Sequence, residues 1–432
     1  MAARDFDVIV CGAGVGGLTA AIRFARQGRS VLLIDKQDGA AETFKGELLH
    51  PASMATLDEM DVLESLRDHG ARVVDRLISS TADGTELCSM NLRWFDGPYD
   101  HCLTSSYKDI CDVLTRSLPN GVTFLRRTIV EDLMRDADGR ALGVRVKSGG
   151  AVDSVRAPLV VAADGRSSRL RTQVGITVAQ QEYGHQVVGL ELTDEPSLHT
   201  WANTVITPEG MRVMYPMPHR GGRLYLQIPK GFANRVGKAE IGEWTLRTVS
   251  TTPALRQLQD SVGRAVPDAR VLSARRFVAD RFDRAGVALI GDAAHVLHPM
   301  AGQGMNAAIA DAKVLSAALA EVDVDDRGAV DAALAAYTAT RHPETVTICE
   351  FSHRFADLFT STTTALGYLK TRYILGCHGR NQRLSYKIMH NIAGLGYQRF
   401  TVLDRLQQLG FPDRNAGLPG RPGMRDRVCS AP

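Results

Sequence analysis

A glycine-punctuated stretch in the last third of the chain has the residue types of a site for an electron-rich ring. Asp292 follows a short apolar run at residues 287–290, and Gly302 and Gly304 precede an alanine-rich helical pattern at residues 307–320. A carboxylate at a strand end can bind ribityl hydroxyls, and a helix N-terminus offers unpaired N–H groups and a positive dipole end. Glycine lets the backbone approach a ring closely because it has no Cβ. The stretch therefore predicts a flavin site.

A second set of small residues lies at the start of the chain. Three glycines follow an apolar run at residues 7–11 in the pattern G-x-G-x-x-G: Gly12, Gly14 and Gly17. A helical pattern at residues 18–28 comes next, and then an apolar run at residues 31–34 that ends at Asp35. This strand–helix–strand order, with an acid after the second strand, predicts a dinucleotide-binding fold in which Asp35 binds an adenosine ribose.

Length and composition limit the class of protein. The 432 residues are too many for one simple core, and 44% hydrophobic with 23% charged residues is ordinary for a globular chain. A net charge of +3 gives no general sign of nucleic-acid binding. Seven cysteines without paired or metal-type spacing favour a reducing, cytoplasmic setting and predict no bound metal. Neither a signal peptide nor a membrane-spanning run is expected.

The pattern of elements predicts an α/β fold with two lobes interleaved along the chain. Nucleotide-binding patterns occupy three stretches: residues 1–75, 101–180 and 275–345. Short alternating segments, typical of an antiparallel sheet that could wall a substrate pocket, occupy two more: residues 76–100 and 181–274. A helical region is predicted past Pro343, at residues 346–414, followed by a disordered tail at residues 415–432.

Local patterns predict individual elements within this organisation. One helix is expected from Pro51 to about Gly70, and one or two helices at residues 240–266. Residues 141–156 are expected to form a hairpin that turns at Gly149-Gly150.

Three motifs, in this order, resemble the class A FAD-dependent monooxygenases, the single-component aromatic hydroxylases. They are the glycine-rich start with Asp35, the pair Asp164-Gly165, and Gly291-Asp292 with the stretch 299–306. The resemblance spans about residues 5–320. It implies a Rossmann-like FAD-binding domain interleaved with an antiparallel β-sheet substrate domain and followed by C-terminal helices.

Two shorter stretches narrow the resemblance, and one position departs from it. Residues 45–51 look most like squalene epoxidases, and residues 298–304 look like ubiquinone-pathway hydroxylases; both groups act on prenyl or polyprenyl-bearing substrates. The family often has an arginine at the start of the helix near residue 109. Here Lys108 is expected to supply the cation, as a point charge rather than a planar fork.

The resemblance implies a set of FAD contacts. The N-terminal glycines would pack against the pyrophosphate, Asp35 would bind the adenosine ribose, and Asp292 would hold the ribityl chain. Pro299 would lie beside the isoalloxazine ring, whose N1/C2=O edge the following residues would cover. The implied cofactor-binding residues are Gly12, Gly14, Gly17, Asp35, Lys36, Lys45, Lys108, Asp164, Gly165, Gly291, Asp292, Pro299, Gly302, Gly304, Met305 and Asn306.

The resemblance also implies a reaction with NADPH or NADH and dioxygen. FAD would carry it through a C(4a)-hydroperoxide that hydroxylates or epoxidises a hydrophobic aromatic or prenylated small molecule. The protein must exclude water and position the substrate. The catalytic candidates are Pro299, His298 and Lys45, with His50 and His295 as further candidates for a base. The substrate-contact candidates on the predicted sheet are Tyr215, Met217 and Tyr225.

Several alternatives remain open at this point. A flavin-dependent halogenase shares the fold, but its W-x-W-x-I-P pattern is not matched, because the tryptophans are isolated: Trp94, Trp201 and Trp244. An FAD-dependent alkene reductase of the geranylgeranyl-reductase type is the other alternative. The chain is expected to be a monomer or a homodimer. Its basic C-terminal helices are predicted to cap the pocket, which we favour, or to contact a membrane surface.

Overall fold

The computed structural model describes residues 5–40, 44, 46–195 and 197–417. Its strands are β1 (Val8–Cys11), β2 (Val31–Ile34), β3 (Leu48–Leu49), β4 (Arg72–Val74), β5 (Arg76–Thr81), β6 (Glu86–Asn91), β7 (Cys102–Thr104), β8 (Val122–Leu125), β9 (Thr128–Arg135), β10 (Ala141–Ser148), β11 (Ala151–Arg156), β12 (Leu159–Ala162), β13 (Gln181–Leu192), β14 (Trp201–Thr207), β15 (Gly210–Met217), β16 (Gly221–Pro229), β17 (Arg270–Val278), β18 (Asp283–Arg284), β19 (Val287–Leu289) and β20 (His295–Val296). Its helices are α1 (Val15–Arg26), α2 (Pro51–Asp58), α3 (Leu63–Asp68), α4 (Tyr107–Arg116), α5 (Arg169–Gln173), α6 (Phe232–Arg235), α7 (Lys238–Thr251), α8 (Gln259–Ala265), α9 (Gln303–Ala318), α10 (Arg327–Thr360), α11 (Ala365–Gly379), α12 (Gln382–Ile392) and α13 (Val402–Gln408).

A six-stranded sheet in the order β18-β19-β12-β1-β2-β8 forms the first layer. All of its pairs are parallel except that of β18 with β19 at one edge. The central strands β1, β2 and β12 are apolar and buried at every position, as expected where helices cover both faces of a parallel sheet. The order of the five parallel strands is that of a doubly wound nucleotide-binding fold, which confirms the predicted Rossmann-like layer.

The predicted cofactor-binding residues meet at one edge of this sheet. Gly12 and Asp35 follow β1 and β2 directly, and Asp164 and Gly291 come two residues after β12 and β19. The carboxyl ends of parallel strands share an edge, and ligands of such sheets bind in the crevice outside it, where the strand order reverses. The topology therefore brings together motifs that lie far apart along the chain.

A second, eight-stranded sheet has the order β20-β17-β13-β16-β15-β14-β5-β6. It is antiparallel except at the β14–β5 pair, which is parallel. Side chains alternate between its two faces. Val188 and Met214 lie on the face that packs against α7 and α8, whereas Val187 and Val213 lie on the opposite face.

The helices α10, α11 and α12 cover that opposite face. Phe359, Leu375 and Met389 of these helices are buried together with Met90 and Met211 of the sheet. We call this cluster the apolar layer; it also includes Val187, Val213, Met300, Ala301 and Phe351. The apolar layer therefore reaches from the large sheet to the turn that follows His298.

Several predicted elements are confirmed. The hairpin at residues 141–156 forms as β10 and β11, and both residues of its Gly149-Gly150 turn have positive φ angles, of 55° and 95°. The first strand–helix–strand unit forms within a few residues of its predicted limits. The predicted helices at residues 240–266 form as α7 and α8.

Two predicted elements are wrong in extent. The helix expected from Pro51 to Gly70 is two helices, because Asp61 adopts a φ of 55° and interrupts the helical backbone. The C-terminal helices do not begin past Pro343; α10 starts at Arg327 and runs through the proline. A proline removes one helix hydrogen bond. Buried residues on both sides, including Tyr337 and Phe351, hold this helix in place despite that loss.

The predicted domain boundaries stay a prediction. Residues 418–432 of the predicted disordered tail lie outside the described residues, as does Lys45. Of residues 415–417, the Ala416 carbonyl accepts a hydrogen bond from the Arg383 backbone N–H. Among the described residues, none of the helices combines the length and the apolarity that crossing a bilayer requires.

Candidate active site

The glycine-rich loop after β1 is shaped by two close approaches of the backbone. Gly12 has a φ of +114°, and a Cβ there would lie 2.2 Å from the Ala163 carbonyl oxygen. A Cβ on Gly17 would lie 1.9 Å from the Gly12 oxygen. A side chain at either Gly12 or Gly17 would therefore push α1 away from the sheet. Gly14 is the N-cap of α1 and has no side chain to cap the helix, and the first turn contains no acidic residue. Neither a capping side chain nor an acid in the first turn therefore neutralises the positive end of this helix.

Tyr107, the first residue of α4, lies against this loop. A Cβ on Gly14 would be 2.9 Å from its hydroxyl, and a Cβ on Gly46 would be 3.0 Å from its ring. Burial, and after it the Cys111 thiol, raises the pKa of Tyr107, so the phenol stays protonated. The predicted cation, Lys108, forms an ion pair with Asp112 at 2.6 Å. Sequence reasoning missed Tyr107, because a tyrosine beside a helix N-cap is not a recognised nucleotide signal.

Two predicted carboxylates accept hydrogen bonds from loops at the carboxyl edge of the sheet. Asp35 accepts from the Ala13 backbone N–H at 2.6 Å and therefore lies at the glycine-rich loop; Lys36 beside it is exposed. Asp164 accepts from the Ser168 hydroxyl at 2.5 Å and from the Arg169 N–H at 2.9 Å. Asp164 therefore holds the turn after β12 in shape.

A buried charged network lies beneath the segment that contains Gly291 and Asp292. Asp311 of α9 accepts from the Gly291 N–H at 2.9 Å, contacts the His295 ring nitrogen at 2.6 Å and accepts from Arg341 at 2.9 Å. Burial alone would raise the pKa of Asp311, but the charges and hydrogen bonds of His295 and Arg341 lower it below its usual value. His295 therefore serves this network rather than a substrate. The sequence reading missed Asp311 and Arg341, and the only local signal was an acid in an alanine-rich helix.

The start of α9 is tied to the short strand β3. Gly302 has a φ of 62°, and its carbonyl accepts from His50 Nε2 at 3.1 Å and from the Asn306 amide at 2.7 Å. The same amide also donates to the Leu48 carbonyl at 2.9 Å. Burial lowers the pKa of His50 to about 4, so this histidine is neutral and acts as a fixed donor. His50, a candidate base in the sequence, and Asn306, a predicted FAD contact, therefore position the helix.

The two remaining predictions at this helix differ in their surroundings. Met305 is buried, with its sulfur 3.4 Å from the position of a Cβ on Gly46. At Gly304 no atom of the described residues lies within 4 Å of an added Cβ. The same is true at Gly165, which has a φ of +85°. These two glycines therefore border open space.

His298 is buried immediately before Pro299, which is exposed and begins the 3₁₀ turn Pro299–Ala301. Its Nδ1 accepts from the Met300 backbone N–H at 3.1 Å, and its Nε2 lies 3.1 Å from Nε2 of His185. Burial, followed by the nearby His185 and His353, lowers the pKa of His298 to about 3. His185 could not be found from sequence, because it lies 113 residues away on β13.

The predicted substrate tyrosines surround a buried ion pair. Glu47 and Arg223 are 2.5 Å apart, and each side chain is 2% exposed. Tyr215 donates its hydroxyl to Glu47 at 2.7 Å, and Tyr225 donates to the same oxygen at 3.2 Å. Both hydroxyls are thus bound to a carboxylate. Met217 lies on the same face of β15 as Tyr215 and is buried.

These features fit a dinucleotide with a flavin ring. The N-termini of α1 and α9 both lack side-chain caps, and Gly165 and Gly304 leave space where a Cβ would stand. Asp35 and Asp292 stand at the same edge of the sheet, where sugar or ribityl hydroxyls could be bound. No group of three or more metal-ligating side chains is found within the described ranges.

Comparison with known proteins also indicates a protein that binds FAD. Residues 5–352 match the family model for the FAD binding domain. The chain is 32% identical over 359 residues to 6-methylpretetramide 4-monooxygenase of Streptomyces rimosus, covering 78% of this chain and 81% of the relative. It is 29% identical to ubiquinone hydroxylase UbiL of Rhodospirillum rubrum, covering 90% and 89%.

Solved structures agree with these relatives. A probable FAD-dependent monooxygenase of Pseudomonas aeruginosa, pqsL, has a TM-score of 0.72 and 25% identity, covering 85% of this chain and 99% of that one. The predicted family, fold and FAD cofactor are confirmed. The chain belongs to the FAD-binding-domain family and is a class A FAD-dependent monooxygenase that uses NADPH or NADH and dioxygen to oxidise a small molecule.

Proposed function

We propose that this monooxygenase hydroxylates a hydrophobic aromatic small molecule held beside the Pro299 turn, against the apolar layer. The observation that carries the proposal is the continuity of that layer, in which Met300 and Ala301 pack with Val187 and Phe351. An apolar wall beside the turn favours a substrate with large apolar surface and keeps water from the reacting centre. The names of the two relatives, a 6-methylpretetramide 4-monooxygenase and a ubiquinone hydroxylase, support this class of substrate.

We propose the following FAD contacts. Backbone N–H groups at the start of α1, reached through Gly14 and Gly17, bind the pyrophosphate, and Asp35 binds the adenosine ribose. Asp292 binds the ribityl chain. The start of α9, after Gly302, binds the N1/C2=O edge, because a helix N-terminus stabilises negative charge. Asp164 and Asn306 already make hydrogen bonds within the chain, to Ser168 and to the Leu48 carbonyl. In our proposal they therefore hold the backbone around FAD in position.

Bound FAD supplies acceptance of a hydride from NAD(P)H and activation of dioxygen. The residues of this chain have three other tasks in our proposal. The network around Asp311 holds the Gly291 loop in place, and His50 holds the α9 N-terminus through Gly302. The apolar layer orients the substrate and excludes water.

The test is oxidation of NADPH and NADH in air by the purified FAD-loaded protein, with a panel of phenols, indoles, quinolones and prenylated aromatics. We expect one compound class to stimulate oxidation and to gain one atom of ¹⁸O from labelled dioxygen. A product with an epoxide in place of a hydroxyl group would move the proposal to epoxidation. A product that gains two hydrogens and no oxygen would contradict it and favour the alkene reductase.

We also propose that the outer face of α11 and α13 contacts an anionic membrane surface. Leu366 and Val402 are each 79% exposed, and Tyr373 of α11 donates its hydroxyl to the Leu409 carbonyl, which joins the two segments. The outer apolar face comprises Leu366, Leu369, Val402, Leu403, Leu409 and Phe411. Exposed cations on α11, on α13 and just before α13 favour anionic lipid: Lys370, Arg372, Arg399 and Arg405.

Sedimentation with vesicles tests this second proposal. We expect binding to phosphatidylglycerol–phosphatidylcholine vesicles, weaker binding at high salt, and none to phosphatidylcholine alone. Combined substitution of Leu369, Val402 and Leu403 by glutamine should abolish binding, whereas the exposed control V152Q on β11 should not. If the triple variant instead converts a dimer to a monomer while vesicles bind neither protein, the face is a dimer interface and the proposal fails.

A further inference from the structure

Three rings of β13 and the turn before α9 form a cluster with a fixed hydrogen-bond direction. His185 and His298 are joined through their Nε2 atoms at 3.1 Å, and the Tyr183 and His298 rings pack in a T-shaped arrangement with centroids 4.4 Å apart. Tyr183 in turn contacts His353 of α10 through its hydroxyl at 3.2 Å. Both joined histidines are buried.

The backbone decides which nitrogen of His298 carries the proton. The Met300 N–H donates to Nδ1 of His298, so Nδ1 must be the unprotonated nitrogen of a neutral ring. Its proton is then on Nε2 and is donated across the 3.1 Å contact to Nε2 of His185. His185 is left with its own proton on Nδ1. A single backbone N–H thus sets the tautomer of two rings in sequence.

The Nδ1–H of His185 has no acceptor among the described residues, and Nδ1 is not among their fully buried unpaired atoms. His185 lies on the same face of β13 as Val187, which belongs to the apolar layer. Its partner His298 directly precedes Pro299. The donor therefore stands at the border between the Pro299 turn and the apolar layer, where the proposed substrate is held.

We propose that His185 donates its Nδ1–H to an oxygen of the substrate, so that the site selects aromatic compounds bearing a phenol or keto oxygen. The inference rests on the proposed function, which places the substrate in this space. One hydrogen-bond donor in an otherwise apolar wall fixes the orientation of the ring. It also discriminates against analogues without the oxygen, which leave the donor unpaired.

Two substitutions separate this role from a merely structural one. Asparagine at position 185 places an N–H donor near the position of Nδ1 but loses the contact with His298, whereas glutamine reaches His298 but offers no donor at Nδ1. The probes are 1-naphthol and 1-methylnaphthalene, and their dissociation constants are read from the absorbance of the bound flavin in the FAD-loaded protein. The matched control is H378Q, which replaces a buried histidine in α11.

We expect the unmodified protein and H185N to bind 1-naphthol more tightly than 1-methylnaphthalene by about tenfold or more, and H185Q and H185L to lose the preference. H378Q should keep it. Preference retained in H185Q and lost in H185N would show that His185 only positions His298, and equal binding of both probes by the unmodified protein would also overturn the inference. Because binding is measured without turnover, failure of hydroxylation would count against the proposed function alone.

The tautomers provide a second readout that needs no ligand. Long-range ¹H–¹⁵N spectra of the FAD-loaded protein labelled with ¹⁵N-histidine should show His298 protonated at Nε2 and His185 at Nδ1. The variants H185N and H298N assign the signals. A His298 signal protonated at Nδ1 would break the chain of donors and overturn the inference.

Discussion

At the scale of single residues, two glycines from the predicted set of cofactor-binding residues differ in what surrounds them. A Cβ on Gly17 would collide with the Gly12 carbonyl at 1.9 Å, so the chain itself requires that glycine. Gly304, near the start of α9, has no described atom within 4 Å of an added Cβ. Nothing in the described chain requires a glycine there. The proposed approach of the flavin ring to this turn would supply a reason.

Substitution of Gly304 by alanine tests this reason. Alanine is the better helix former, so G304A should leave the free energy of unfolding of the FAD-free protein unchanged or raise it by up to about 1 kcal/mol. The added methyl group should meanwhile weaken FAD binding about tenfold or more, because it occupies the space where the ring lies. Urea unfolding and quenching of flavin fluorescence measure the two effects.

The control for G304A is G263A in α8. Gly263 is also helical, and no described atom lies within 4 Å of an added Cβ. This variant should gain stability in the same way without a change in FAD affinity. If G304A also bound FAD normally, the ring would not lie against the start of α9.

Short-range patterns were sufficient for the residues that follow the parallel strands. Gly12, Asp35 and Asp292 can be predicted because each lies within three residues of the end of its own strand, and the order of strands then brings them together. The Glu47–Arg223 pair spans 176 residues and joins a loop to a strand, and neither partner has a local signal. The Glu47 carboxylate of this pair accepts the hydroxyl proton of Tyr215, a hydrogen bond that no local pattern predicts.

At the scale of elements, the C-terminal helices have two different faces. Their inner face packs tightly on the large sheet: a Cβ on Gly379 at the end of α11 would lie 2.2 Å from the Leu87 carbonyl oxygen of β6. Cys88 and Ser385 face each other at 3.7 Å across the same contact. The outer face is the exposed apolar face described above. The cap and the membrane contact, alternatives in the sequence, are therefore compatible in the structure.

Two truncations should separate these faces. Removal of residues 346–432 strips α11, α12 and the second half of α10 from the sheet and exposes the apolar layer to water, so the product should be insoluble or unable to retain FAD. Removal of residues 401–432 leaves the inner face intact. That shorter truncation should stay soluble and yellow while losing vesicle binding.

Soluble yield, the ratio of flavin to protein absorbance and vesicle sedimentation measure the outcome. A soluble, FAD-loaded protein that ends at residue 345 would contradict the prediction that these helices cap the pocket.

The long helix α10 shows why the predicted start of the C-terminal helices was wrong. Pro343 is a local signal for a helix end, but the packing of Tyr337 and Phe351 on its two sides outweighs one lost hydrogen bond.

At the scale of the whole molecule, buried neutral histidines couple stability to pH. They lie in three separate places: His50 beside α9, His298 before the Pro299 turn, and His378 in α11. Burial lowers the pKa of His50 to about 4, of His298 to about 3 and of His378 to about 4, from an ordinary value of 6.5. The unfolded chain therefore takes up protons below pH 6.5 that the folded chain does not.

The sign follows from this difference in proton uptake. The stability due to each histidine is fully present above pH 6.5 and falls by about 1.4 kcal/mol per pH unit as the pH drops toward its folded pKa. H378Q should lower the slope of the unfolding free energy between pH 6.5 and 4.5 by about that amount per unit. L375A, a buried apolar change in the same helix, should lower stability equally at every pH. Urea unfolding across this range measures both, and equal slopes in H378Q and the unmodified protein would mean that His378 is already charged in the folded state.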